Sequence, residues 1–232
     1  MQSDLNKISV LLSVFNDEAN ISESINSILN QTYQNFELLI ADDGSTDNTQ
    51  KIVESFLKND KRIKFFKNKN NQGLTKTLNF LSKQSTSKFL ARQDSDDYSL
   101  ESRLEKQLQF LYSKNLDATT SKSIDKSNFK VIHKLSNRLP SRAVIKIKNP
   151  FVHGSLLIKR DVFEILGGYN ENFYYSQDYK LFTDLINKRY KIKIQDEILY
   201  LLNTKNNIST LFKKEQKYYA DCARRNILPN KK

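Results

Sequence analysis

Two periodicities of apolar positions alternate along the first hundred residues. ISVLLSVF, Ile8 to Phe15, is a near-continuous apolar run, the pattern of a strand buried on both faces. Asn20 then offers an N-cap with Glu23 three residues on, and Ile21, Ile25, Ile28 and Leu29 fall at helical spacing. FELLIA, Phe36 to Ala41, predicts a second strand, followed by DDGSTDNT and a helix carrying Ile52, Val53, Phe56 and Leu57. RIKFFKN, Arg62 to Asn68, predicts a third strand, NNQG a turn and LTKTLNFLSKQ a helix. KFLARQ, Lys88 to Gln93, predicts a fourth strand, and Leu104, Leu108 and Leu111 a further helix with Ser99 as its cap. Repeated β-α units of this length predict an α/β fold around a mostly parallel, doubly wound sheet.

The second half reads differently. Residues from about 121 to 150 are polar and basic without clear period, which puts any domain seam near residue 120. Beyond them GSLLIK, Gly154 to Lys159, predicts a strand, and RDVFEILGG a short helix stopped by glycines. QDYKLFTDLINKR carries Leu181, Phe182, Leu185 and Ile186 at helical spacing. Leu211 to Lys232 predicts a basic closing helix.

Composition narrows the function classes. With 232 residues, 38% hydrophobic and 28% charged, the chain is globular and long enough to bury a real core. No apolar run reaches the roughly 18 to 20 residues of a membrane span, and MQSDLNK is too acidic to open a signal peptide. A single cysteine excludes an internal disulfide, and a cytoplasmic location is expected. The net charge of +12 has two readings: an anionic partner, or a compositional bias toward Lys and Asn.

Polar clusters supply the chemistry. In a doubly wound sheet, ligands bind beyond the carboxyl ends of the strands. NDE (Asn16–Glu18), DDGSTD (Asp42–Asp47) and DSDD (Asp94–Asp97) all stand at such ends and should converge. One Asp there reads as a turn or cap residue. Three acids in four residues, within a basic protein, read better as the seat of a hard divalent cation, Mg²⁺ or Mn²⁺. Asp42, Asp43 and Gly44 read equally as a tight turn or as carboxylates for a nucleotide base or ribose. Asp178 on its own reads as a helix-cap acid, and His153 as a packed or surface histidine. His133 carries no functional argument, and GGYNENF reads as a helix stop and loop.

Taken together, these blocks resemble glycosyltransferase family 2, the inverting nucleotide-sugar transferases. The resemblance runs from about Ile8 to Leu202 through VFNDE, SILNQTYQNFELLIADDGSTDNT, NQG, ARQDSDD and NPFVHGSLLIKRDVFEILGGYNENFYYSQDYKLF, in order. It implies a GT-A (Rossmann-like) sheet flanked by helices, in one compact domain. Residues 1–120 would serve the donor, 121–210 the acceptor and the catalytic base, and 211–232 a basic tail.

It also implies site roles. Phe15, Asn16 and Glu18, with Asp42 or Asp43, would hold uracil and ribose. Asp94, Ser95 and Asp96 would meet ribose, diphosphate and metal, Asp94 and Asp96 being the metal ligands, with Lys76 and Arg92 as phosphate partners. Asp178 would be the general base, with His153, Gly168, Tyr169 and Gln177 near the acceptor. Phe15 replaces the family's usual Tyr, and Gln177 stands where Glu is frequent. The family's Arg or His after the last strand is missing near YLLN (Tyr200–Asn203), as is the Q-x-x-R-W motif of processive synthases.

The expected activity is therefore single-sugar transfer from a UDP-sugar to a glycan or lipid-linked acceptor. The basic tail would rest on an anionic membrane or a partner protein, or else be a solvated closing helix. Two other classes fit less well. A nucleotidyltransferase would want a Gly-rich phosphate loop, and a nucleic-acid binder would interleave aromatics with an exposed basic stripe.

Overall fold

The computed structural model describes residues 6–132, 140–205 and 212–230. Its elements are β1 (Ile8–Val14), α1 (Ile21–Leu29), β2 (Phe36–Asp42), α2 (Thr49–Leu57), β3 (Ile63–Lys67), α3 (Leu74–Gln84), β4 (Phe89–Asp94) and β5 (Tyr98–Ser99). They continue with α4 (Arg103–Ser113), β6 (Ala118–Asp125), α5 (Ser141–Val144), β7 (Leu157–Lys159), α6 (Arg160–Ile165), α7 (Gln177–Asn187), β8 (Ile192–Leu202) and α8 (Lys213–Arg225). The strands form one mixed sheet in the order β3-β2-β1-β4-β7-β6-β8-β5.

β1, β2, β3 and β4 are mutually parallel, as the βα repeats predict. Successive side chains of a strand point to opposite faces, so a doubly covered strand must be apolar on both. Leu11, Leu39 and Ala41 pack with α3, α6 and α7 on one face. Val10, Leu12, Leu38 and Ile40 pack with α1, α2 and α4 on the other. Pairing β1 with both β2 and β4 puts the ends of these strands side by side, with Ser13 opposite Ala41 and Asp94.

Several local expectations change. β6 spans 118–125, within the stretch read as aperiodic and across the position given as a seam. Its side chains Thr119, Thr120, Ser121 and Ser123 are buried hydroxyls, so a buried strand shows no apolar pattern. Ser99 does not cap α4; it lies in β5 opposite Tyr200, and Ser102 holds the cap position. Asn20 holds the cap position of α1, but its side chain donates to Asp17 Oδ1 at 2.5 Å instead of capping. Glu23 pairs with Lys126, 2.6 Å away, and closes no capping box. His153–Ser155 forms a 3-10 turn, so only Leu157–Lys159 of the GSLLIK run is strand. His133 and Leu211 lie outside the described residues.

Candidate active site

The loops following β1 and β2 are stitched together by their own polar side chains. Asn16, left-handed at φ 48°, receives the Thr46 N–H on Oδ1 at 2.8 Å, and its own N–H donates to Ser45 Oγ at 2.8 Å. Glu18 Oε2 accepts from Asn48 N at 2.9 Å and from Asn48 Nδ2 at 2.8 Å, at the head of α2. Asp43 is equally committed: Oδ1 accepts from Asn68 Nδ2 and Gln72 N, and Oδ2 from Gly73 N, at 2.7–2.9 Å. Asp42 is not. Its Oδ2 takes Gln50 Nε2 at 2.7 Å and Ser45 N at 3.1 Å, while buried Oδ1 has no partner.

Gly44 follows these two carboxylates and lies against the loop that Asp43 grips. Its φ is +85°, and a Cβ there would stand 2.9 Å from the Asn70 backbone, so only glycine allows that approach. Phe15 stands 47% exposed just past β1.

The acidic cluster lies beside them. Ser95 Oγ donates to Asp17 Oδ2 at 2.6 Å, tying the turn after β4 to the loop after β1. Asp94 ends β4 with Oδ1 held by Arg92 Nη2 at 2.5 Å, and its N–H donates to Tyr200 Oη at 3.2 Å. Burial, then the charges of Asp94 and Asp17, push the Asp96 carboxyl up to about 6. Asp97 is buried and also pushed up, by burial and then by Asp94 and Asp96. Its Oδ1 accepts the Asn203 N–H at 2.6 Å, so it braces the end of β8 against this turn.

Behind the cluster lies Arg103, fully buried at the start of α4. Nη1 donates to Ser99 Oγ at 2.6 Å, Gln93 Oε1 at 3.1 Å and the Gly154 carbonyl at 3.3 Å. Nη2 donates to the Arg92 carbonyl at 2.7 Å, and the guanidinium lies 5.3 Å from the Tyr200 ring centroid. One cation thus grips β4, β5 and the turn before β7.

Asp178 faces the cluster from the first turn of α7. Asn149 Nδ2 donates to its Oδ2 at 2.8 Å. Burial raises its pKa and the nearby Asp94 charge adds to that, against backbone amides and Asn149, which favour the anion. His153 and Tyr169, whose Nε2 and Oη are 2.7 Å apart, both feel the Asp94 charge, and Tyr169 that of Asp178 as well. Burial, reinforced by Arg92, pushes the His153 pKa down to about 3, so the imidazole is neutral, while burial raises that of Tyr169. A Cβ on Gly154 would stand 2.7 Å from Asp94 Oδ2 and overlap Tyr200 Oη. Glycine there lets the 153–155 turn close directly on Asp94.

Three expected residues sit differently. Gly168 lies against Asn79, which receives the Tyr169 N–H on Oδ1 at 2.9 Å and donates to its carbonyl at 2.8 Å. Gly168 therefore borders the turn that aims Tyr169 and does not touch the acids. Lys76 is exposed on α3, with no hydrogen bond to the cluster among the described residues. Gln177 is buried at the head of α7, next to Asp178. Sequence reasoning missed Arg103, and considered Asp17 only within NDE, Gly154 only as the start of a strand and Tyr200 only as part of YLLN. A charged residue opening the apolar face of α4 was the available signal for Arg103.

The donor set suits a hard divalent cation in one respect: burial first, then the carboxylates of Asp94 and Asp17, raise the Asp96 pKa, a penalty that a cation would relieve. Among the described residues no three His, Cys, Asp or Glu side chains are grouped to hold a metal ion alone. Oxygens from a bound anionic ligand would be needed to complete the shell.

Comparison with known proteins bears on the family and the fold. A family model described as glycosyl transferase family 2 matches residues 9–180. The O-antigen biosynthesis glycosyltransferase WbnJ of Escherichia coli is 32% identical over 223 residues, 94% of this chain and 87% of WbnJ. EpsE of Bacillus subtilis is 35% identical over 167 residues, 70% of this chain, and the match spans only 60% of EpsE. In fold, S. aureus TarS 1-349 in complex with UDP-GlcNAc superposes with TM-score 0.74 at 22% identity, over 87% of this chain and 59% of that one. The mannosyltransferase PcManGT of Pyrobaculum calidifontis, with GDP-Man and Mn2+, gives TM-score 0.77 at 16% identity, over 96% of this chain and 65% of that one. The sheet is thus of GT-A type, and the protein belongs to glycosyltransferase family 2 as one of its enzymes.

Proposed function

We propose that the protein transfers one sugar, with inversion, from a UDP-sugar to a hydroxyl of a glycan or lipid-linked acceptor in bacterial surface polysaccharide or glycoconjugate synthesis. The observation that carries this reading is Asp178, a carboxylate fixed by Asn149 and near enough to the acidic end of β4 to feel the Asp94 charge. The loops after β1, β2 and β4 serve the donor, with Phe15 as a stacking face for uracil. Asp42 Oδ1, buried and unpartnered, is the better of the two DDG carboxylates for the base or ribose. Residues 1–120 are the donor half, 121–210 the acceptor half and 211–232 a tail, although β6 crosses the first boundary.

In this mechanism Asp178 accepts the proton of the acceptor hydroxyl while that oxygen attacks the anomeric carbon. The new C–O bond forms as the bond to the diphosphate breaks, and a single displacement inverts the centre. Fixing both partners supplies much of the rate. His153, neutral and paired with Tyr169, helps to shape the acceptor side without adding charge. Asp94 and Asp96 would hold Mn²⁺ or Mg²⁺, which supplies charge neutralisation to the departing diphosphate. The exposed lysines of α8 are suited to an anionic membrane at the inner face of the cell envelope.

A panel of nucleotide sugars with Mn²⁺, followed by binding and slow hydrolysis, tests the reading. A UDP-sugar should bind in a metal-dependent way, and Asp96→Asn should abolish that dependence. Metal-independent binding, or preference for a guanosine donor, would refute the donor assignment.

A further inference from the structure

We propose that the aromatic ladder of Tyr174, Tyr175, Phe212, Tyr218 and Tyr219 is a subsite for the pyranose rings of the acceptor glycan. This rests on the transferase reading of the site. The rings touch in series: Tyr174 to Tyr175 at 4.9 Å, Tyr175 to Tyr219 at 5.7 Å, and Tyr219 to Tyr218 at 5.5 Å between centroids. Phe212 joins at 5.4 Å from Tyr175. Such contacts ordinarily serve to bury rings. Here Tyr174 is 60% exposed, Tyr218 43% and Phe212 42%. A contiguous exposed patch of this kind marks an interaction surface.

Position selects the occupant. The inner end of the ladder meets the donor loops, because the Tyr174 ring approaches to 3.3 Å of where a Gly73 Cβ would be, and the Gly73 N–H is held by Asp43. The same short segment leads into the proposed base. Ser176, left-handed at φ 54°, donates to Gln216 Oε1 at 2.8 Å and so pins the head of α7 to α8. A molecule lying on these rings is therefore steered toward Asp178, which is the acceptor's route and not the donor's. Chemistry agrees. A pyranose has an apolar C–H face and a polar rim, and a tyrosine offers an apolar face and a polar tip. Exposed lysines flank the ladder at 213, 214 and 217, which favours acidic or phosphate-bearing glycans.

The test uses the full chain, an immobilised array of bacterial surface oligosaccharides, and phosphatidylglycerol vesicles. UDP binding with Mn²⁺ is measured alongside to report the donor half. Wild type should bind a subset of glycans. Tyr218→Ala and Phe212→Ala should lose that binding at least tenfold, with UDP affinity within twofold of wild type. Tyr218→Phe, which keeps the ring, should retain most of it and controls for folding. Wild type binding no glycan, or Ala variants binding as well as wild type, overturns the subsite. So does a loss confined to vesicle binding, which would assign the ladder to a membrane. Glycan binding without UDP binding in the wild type supports the ladder while refuting the donor reading.

Discussion

Asp178 and Asp96 are both raised carboxylates, and the two shifts have opposite uses. A base must be ionised to act, so transfer should fall as pH drops through the Asp178 pKa, and that limb should lie above the ordinary carboxylate value. Asp178→Asn should keep UDP binding and lose transfer by roughly 10²- to 10⁴-fold, taking the acid limb with it. Full transfer by this variant to an identified acceptor would remove Asp178 from the mechanism. For Asp96 the shift is a stability statement. Its folded value of about 6 exceeds the ordinary 3.8, so the fold favours the protonated form. That contribution is complete below 3.8 and is lost as pH rises through about 6. At pH 7.5, without metal, Asp96→Asn should therefore stabilise the protein, on the order of 1–3 kcal/mol. A melting point unchanged or lowered at pH 7.5 would contradict the electrostatic picture. At this scale the sequence was informative about which residue types cluster, but not about their commitments. That Asp43 commits both oxygens and Glu18 its Oε2 to neighbouring loops, while Asp42 keeps a buried oxygen without a partner, depends on loops distant in sequence.

Element by element, legibility follows side-chain chemistry. The apolar runs of β1 and β2 announced themselves because both faces are covered. β6 did not, since a strand of buried hydroxyl side chains looks like a loop in sequence. β5 is two residues long and exists through its pairing with β8. Helix α4 was visible from its leucines, yet its most consequential residue is the arginine that opens it. Arg103→Met would take a donor from the Arg92 and Gly154 carbonyls and from Ser99 Oγ in a dry interior, and leave Gln93 Oε1 with Ser99 Oγ. The expected loss is on the order of 3–5 kcal/mol, with Arg103→Lys recovering part. Thermal melts of both variants measure it, and a Met variant as stable as wild type would show that the network is dispensable.

Across the whole molecule, the first hundred residues were readable as repeated βα units, whereas the second half depends on long-range pairings. β7 joins the two regions by running antiparallel to both β4 and β6, a topology no local period encodes. It also makes the junction narrow. β1 pairs with β2 along Ile8–Val14 and β6 with β8 along Ala118–Asp125, whereas β7 offers only Leu157–Lys159 to its neighbours. Backbone amides protected by a short ladder open at lower free energy than those in a long one. Amides of Leu157–Lys159 should therefore exchange with solvent deuterium before those of β1 and β2, and uniform protection across the sheet would disprove it. In mechanical terms, the sheet is two stiff plates joined by a three-residue splice. At one end of that splice Arg103 is the rivet, fastening β4 and β5 to the Gly154 turn that leads into β7.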